Sequence, residues 1–253
     1  MFTQTAAFYD KLYAAQGRSD ERDAARVASV VREAVPGATT LLAVGCGVGA
    51  TLGALERCGF TCAGIEADLK LAAIARSRLP EMRIEPADTT TFALDERFDA
   101  VVSLAGSSAT VRTPARLAAL LERMTAHLVA GGTIVVEPFL SFGQYRPGTL
   151  DAVFVDEPEL KIARMSLSKQ TGKIGILDYH YLIASLQGVE RHFERHEVGL
   201  FTERTYRDAF EDLGFTMDVV AAREDEGELY VARASAPTST PASDGHPIYD
   251  WGH

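Results

Sequence analysis

Between Thr40 and Val136 the chain alternates short apolar runs with helical patterns, and the first run ends in Gly45-Cys46-Gly47-Val48-Gly49. A strand passing through such glycines into a helix brings backbone close to a ligand and points the helix's first N–H groups at it. Helices are predicted over 20–35, 51–58, 70–79 and 113–128, and strands over 40–44, 61–65, 83–86, 99–104 and 133–136. This alternation specifies a parallel sheet with helices on both faces. A glycine triplet alone does not name the ligand; it serves a dinucleotide or a tight turn equally well.

Beyond Phe139 the pattern changes. Alternating or apolar runs at 152–155, 160–166, 174–183 and 195–200 are separated by turn residues such as Thr171-Gly172-Lys173. They predict an antiparallel sheet inserted into the α/β unit. A helix over 202–213 follows, with Thr202 as its cap and Gly214 as its stop, and then two closing strands over 216–221 and 229–232. The expected division is a core of residues 1–138 and 200–234, an insert of 139–199 covering the active site, and a Pro/Ser/Thr-rich disordered tail over 235–253. Tyr249 and Trp251 are the residues of that tail that could dock.

The formal charge of −10 argues against binding nucleic acid or an anionic membrane surface, both of which select basic patches. The apolar stretches are strand-sized, so no transmembrane helix is expected. Cys46, Cys58 and Cys62 cannot pair completely and lack metal-knuckle spacing. With no secretory leader over 1–17, a reducing cytoplasmic compartment is expected.

Two acids sharpen the ligand. Glu66 closes the second strand, where a carboxylate can accept from both ribose hydroxyls of a nucleoside. Asp88 follows the third strand, in reach of an adenine amine. Each acid alone also reads as a solvated surface charge. Together with the glycine loop they occupy the strand C-termini, the edge where open α/β sheets bind ligands.

The segment Leu41-Leu42-Ala43-Val44-Gly45-Cys46-Gly47-Val48-Gly49 resembles the first motif of class I S-adenosylmethionine-dependent methyltransferases. Gly64-Ile65-Glu66-Ala67-Asp68 resembles their second motif and Ala87-Asp88 their third. A narrower resemblance runs through Phe8-Tyr9-Asp10, Phe98-Asp99-Ala100-Val101, Val136-Glu137-Pro138-Phe139, His180-Tyr181-Leu182 and Leu200-Phe201-Thr202. This order is similar to the macrolide amino-sugar N,N-dimethyltransferases and related small-molecule N-methyltransferases. The resemblance implies a Rossmann-like fold with a seven-stranded, mostly parallel sheet and an antiparallel insert. It implies S-adenosylmethionine as cofactor, S-adenosylhomocysteine as product, and methyl transfer to a small-molecule amine in antibiotic or other secondary metabolism.

On this resemblance the cofactor residues are Tyr9, Gly45, Cys46, Gly47, Gly49, Glu66, Ala67, Asp88, Thr89, Leu104 and Ala105. Ala105 and Gly106 would border the methyl group. Tyr9 resembles the family's amino-terminal tyrosine over the site, with helix packing as the alternative; Tyr13, one turn on, shares its face. His180 is a candidate base or substrate anchor, because a neutral imidazole works near pH 7, and equally a structural histidine. It alternates with Tyr181, so only one of the pair points inward. Glu137 is a candidate for a substrate hydroxyl or amine, or for anchoring a loop. His192, Glu194 and His196 alternate at metal-like spacing, which also describes a polar strand face. In-line methyl transfer needs no metal, and none is expected.

Two positions depart from the family. Ala43 stands where an acid usually precedes the glycine loop, and Thr110, in Ser107-Ser108-Ala109-Thr110, stands at the position of a histidine in the amino-sugar enzymes. O-methylation, or cofactor binding without methylation on the same fold, remain as alternatives. The insert is also a candidate surface for a homo-oligomer.

Overall fold

The computed structural model describes residues 5–221 and 227–235; of the tail expected over 235–253, all but Ser235 lies outside the described residues. Two helices lead in: α1 (Tyr9–Ala15), preceded by one turn of 3₁₀ helix, and α2 (Asp20–Ala34). The Ser19 hydroxyl caps α2 by accepting from Arg22 N, and Asp20, Glu21 and Asp23 offset the positive helix start. The core then runs β1 (Thr40–Val44), α3 (Ala50–Arg57), β2 (Thr61–Glu66), α4 (Leu69–Arg78), β3 (Arg83–Pro86), β4 (Phe98–Ser103), α5 (Pro114–Ala126) and β5 (Leu128–Val136). The insert contributes β6 (Leu150–Glu157), β7 (Leu160–Thr171), β8 (Ile174–Ser185) and β9 (Gly188–Gly199). The chain closes with α6 (Glu203–Asp212), β10 (Phe215–Val220) and β11 (Leu229–Ala234).

The core sheet has seven strands in the order β10-β11-β5-β4-β1-β2-β3, as the resemblance implied. Strands β1 to β5 pair in parallel, and β11 inserts antiparallel between β5 and β10. Leu42, Val44 and Val101 face one hydrophobic core with Leu117, Leu121 and Phe210. Leu41, Ala43 and Ala100 face the other with Val27, Val31 and Leu55. Burial on both faces explains why β1 reads as a continuous apolar run rather than an alternation. The chain winds away in opposite directions from β1 and β4, which opens a crevice at their C-terminal ends.

Several strand boundaries differ from expectation, among them the starts of the fifth core strand and of the insert's fourth strand. The fifth strand was expected over 133–136, yet β5 already starts at Leu128 and carries Gly131 and Gly132 across a register shift opposite Phe98–Ala100. The insert's fourth strand starts at Gly188 instead of 195, because its first half is polar and carries no apolar period. The insert is a four-stranded antiparallel meander separate from the core sheet. Its inner face, with Val153, Ile162, Tyr181 and Ile183, packs on Leu12 of α1. The other side of α1 meets the glycine loop, where Ala6, Tyr9, Val48 and Leu71 cluster. Helix α1 is therefore held between the insert and the glycine-loop edge of the core.

Candidate active site

The glycine loop is fixed from below by β2. Gly45 N and Cys46 N both donate to Ile65 O, at 2.8 and 3.0 Å. Glu66 then organises the next turn: one carboxylate oxygen accepts from Gly47 N at 2.8 Å and the other from Asp68 N at 2.8 Å. Asp68 in turn caps α4 by accepting from Lys70 N and Leu71 N. Gly47 has φ +58, and a Cβ built on it would meet nothing within 4 Å, so its missing side chain leaves open space above the loop. Gly49 serves differently. Its Cβ position is filled by Leu79 and Ala75, so this glycine lets α3 and α4 pack closely.

Above the loop lies a cavity of about 210 Å³. Gly45, Cys46, Gly47, Leu104 and Ala105 line it from the core, and Tyr9 and Tyr13 line it from α1. These predicted residues are brought together. Glu66, Ala67, Asp88 and Thr89 lie outside the cavity wall, at the C-terminal ends of β2 and β3, along the same sheet edge. Asp88 is exposed and already engaged: Oδ1 accepts from Thr90 N at 2.7 Å and Thr90 Oγ1 at 2.6 Å, and Arg116 lies 3.0 Å from Oδ2. The Thr90 bonds, with Arg116 behind them, hold its carboxyl below the ordinary range. Burial and the nearby Glu66 push the Cys46 thiol up to about 12, so it is a protonated wall group.

The lid side is tied by ion pairs. Tyr9 and Tyr13 stack with ring centroids 5.3 Å apart. Tyr13 donates to Asp23 at 2.5 Å, and Arg18 bonds both Asp23 at 3.0 Å and Glu137 at 3.1 Å. Burial raises both phenols well above their ordinary value, followed by the charge of Asp20 for Tyr9 and the hydrogen bond to Asp23 for Tyr13. Neither serves as a base near neutral pH. The second oxygen of Glu137 accepts from Ala105 N at 2.8 Å. Ala105 has φ +50, a conformation costly for a residue with a Cβ, and this bond helps hold it there. Glu137 thus anchors the loop after β4, the second of the two roles anticipated for it.

The structure corrects the reading of His180. Tyr181 is the inward member of the pair and is 2% exposed. His180 stands on the outer face of the insert, exposed, with its ring 4.9 Å from Phe193. A base or substrate anchor at this position would need the opposite strand face. Thr110 also turns away from the cavity: its hydroxyl donates to Ser107 O at 2.7 Å, and Ser107 takes the place on the wall. Ser107 Oγ lies 2.8 Å from Ser103 Oγ. Glu194 and His196 face inward, and Glu194 accepts from Thr5 N and Thr5 Oγ1 at 3.1 and 3.2 Å. This alternating polar face seats the amino-terminal segment. Among the described residues no group of three or more His, Cys, Asp or Glu side chains is gathered as for a metal ion.

Sequence reasoning missed Ser107, Thr51, Leu12 and Arg164, which also line the cavity. For Arg164 a signal existed. It falls on the face of its strand that Ile162 marks as inward, where a charge is out of pattern.

The sheet order, the open space over Gly47 and the carboxylate under the loop define a class I S-adenosylmethionine-dependent methyltransferase. The sequence profile of a methyltransferase domain matches residues 41–132. The chain is 34% identical over 216 residues to the dTDP-3-amino-3,6-dideoxy-alpha-D-glucopyranose N,N-dimethyltransferase of Streptomyces fradiae, covering 85% of each chain. Among solved structures it superposes on the S-adenosylmethionine-bound amino pentose methyltransferase CalS10 of Micromonospora echinaspora, with TM-score 0.83 and 32% identity, covering 90% of this chain and 96% of that one. It superposes equally on Streptomyces venezuelae DesVI, with TM-score 0.86 and 30% identity, covering 91% and 98%. The chain belongs to the family of the sugar N,N-dimethyltransferases. It is an S-adenosylmethionine-dependent N-methyltransferase.

Proposed function

We propose that the acceptor is the amino group of a nucleotide-linked amino sugar, as in the relatives' names, and that one or two methyl groups are added. The observation that carries this reading is the cavity between the glycine loop, α1 and the insert, in a chain whose likeness to the dTDP-amino-sugar enzymes spans core and insert alike. Bound S-adenosylmethionine supplies a methyl group activated by a positive sulfur. The protein's own work is to hold, orient and exclude water. Gly45, Cys46 and Gly47 would cradle the methionine half, and Ala105, next to Leu104 on the cavity wall, would border the methyl, whereas Gly106 packs against Phe139 off that wall. Glu66 would accept from the ribose, since a carboxylate has about four lone-pair sites and the loop N–H groups occupy two. Ala67 and Thr89 would flank the nucleoside and Asp88 would meet adenine. Tyr9 and Tyr13 close the cavity, and a ring there would orient a cation or the sulfonium through its negative face.

The insert would also pair with a second copy. Its outer face exposes Leu150 (79%), Phe154 (62%), Met165 (56%) and Phe193 (49%), an apolar surface that a soluble monomer rarely presents. Light scattering on wild type and Phe154→Glu tests this; monomer in both would refute it. No helix among the described residues is long and apolar enough to cross a membrane. We place the enzyme in the cytoplasm and without nucleic-acid partners, on its free cysteines and acidic balance.

The decisive experiment incubates the purified protein with S-adenosylmethionine and a panel of dTDP-amino sugars and their hydroxyl counterparts, read by mass spectrometry. Methyl gain on the amines alone is expected. Transfer to the hydroxyls alone would replace this reading with O-methylation.

A further inference from the structure

The roof of the cavity carries a cation whose hydrogen-bonding capacity is largely unused. Arg164 lies on β7, paired with Val153 and Tyr181 on the neighbouring strands, and its side chain lines the cavity. The residue is 3% exposed. A guanidinium offers five N–H donors in a planar fork. One contact is made to a carboxylate, a long 3.4 Å bond to Asp151, whose own side chain is 56% exposed. The Tyr179 ring orients the guanidinium face at 5.0 Å. The Nε atom is buried and has no hydrogen-bond partner among the described residues. A buried cation left in this condition is costly unless a ligand completes it.

Position decides which ligand. The cofactor edge is the floor, made by the core's glycine loop, whereas Arg164 descends from the insert opposite it. In-line displacement requires the nucleophile to approach the methyl from the side away from the sulfur. The roof is thus the acceptor's side. A planar fork with free donors matches the paired oxygens of a phosphate better than a sugar hydroxyl.

We infer that Arg164 binds a phosphate or diphosphate ester carried by the acceptor, and so selects nucleotide-linked over free amino sugars. This rests on the amino-sugar reading above. Asp151 occupies the fork until the anion arrives and is displaced toward solvent, where it is already half exposed.

The test titrates dTDP calorimetrically into protein saturated with S-adenosylhomocysteine, with inorganic pyrophosphate as a competitor. Wild type should bind dTDP and release it to pyrophosphate. Arg164→Gln should weaken dTDP binding roughly 10- to 150-fold, the value of a charge-assisted hydrogen bond. Its affinity for S-adenosylhomocysteine alone should stay within about twofold. Arg164→Lys, which keeps charge and stem but not the fork, should lose less than Arg164→Gln and guards against a folding defect in the latter. Unchanged dTDP affinity in Arg164→Gln overturns the inference. An equal loss of S-adenosylhomocysteine overturns it too, by assigning the cation to the cofactor's carboxylate. So does a wild type that methylates an amino sugar but binds neither dTDP nor pyrophosphate. Failure of the amino-sugar reading is distinct: the wild type would then transfer no methyl to any dTDP-amino sugar, while pyrophosphate binding lost in Arg164→Gln would still mark the anion site.

Discussion

Replacing Glu66 with alanine separates two roles that the same carboxylate combines. In the unliganded fold its oxygens accept from Gly47 N and Asp68 N, each at 2.8 Å, and the residue is 8% exposed. Removing it strands two backbone donors, each worth roughly 1–3 kcal/mol when buried. Gly47 and Asp68 are half-buried, so water recovers part of this. A total near the lower end, about 2–3 kcal/mol, is expected, or a melting temperature lower by roughly 5–10 °C for a chain of this size. Glu66→Gln keeps one acceptor oxygen and should lose about half as much. Thermal unfolding should be followed with and without S-adenosylhomocysteine. At a hundred times its dissociation constant the ligand contributes about 2.7 kcal/mol to wild type. If Glu66 also holds the ribose, that increment shrinks in Glu66→Ala at the same ligand concentration. A melting temperature within about 1 °C of wild type would refute the loop-holding argument, whatever happened to binding.

Other substitutions test the remaining assignments. His180→Ala should leave kcat and KM within about twofold of wild type, because the ring is on the outer face; a large loss of turnover would mean it reaches an active site after all. Glu137→Ala frees both Arg18 and the strained Ala105, and should lower kcat/KM roughly 10- to 100-fold by misplacing the cavity wall, with wild-type kinetics as the refuting result. Asp178 accepts from Arg195 at 2.6 Å and Lys169 at 2.7 Å, and its carboxyl is held well below the ordinary range, first by the Arg195 bonds and then by Lys169. A depressed carboxylate stabilises the fold fully above its unfolded value near pH 4 and loses that contribution as pH falls toward its folded value. Asp178→Asn should therefore be less stable than wild type at neutral pH, and the gap should narrow below about pH 4; a gap independent of pH would refute the charge argument.

Much of this enzyme was legible in its residues. The strand that passes into Gly45, Gly47 and Gly49 had to meet a ligand or a tight turn, and Glu66 and Asp88 at the neighbouring strand ends pointed to a nucleoside. Local chemistry sufficed there because these groups are set by short-range backbone geometry: a strand end, a helix start, and an acid in reach of both. The same held for α6, whose expected cap Thr202 accepts from Thr205 N at the helix start.

What the residues could not settle was which face of each insert strand meets the core. A strand presents alternate side chains to opposite sides, and the choice between them depends on what packs against it. Helix α1 made that choice by seating Leu12 on Val153, Ile162 and Tyr181, which turned Tyr181 and Arg164 inward and His180 outward. The Glu137 assignment was decided the same way, by the approach of Arg18 from a helix junction 119 positions away in the chain. Spacing along the chain located the glycine loop; only the docking of the insert and α1 across it determined which side chains share the cavity.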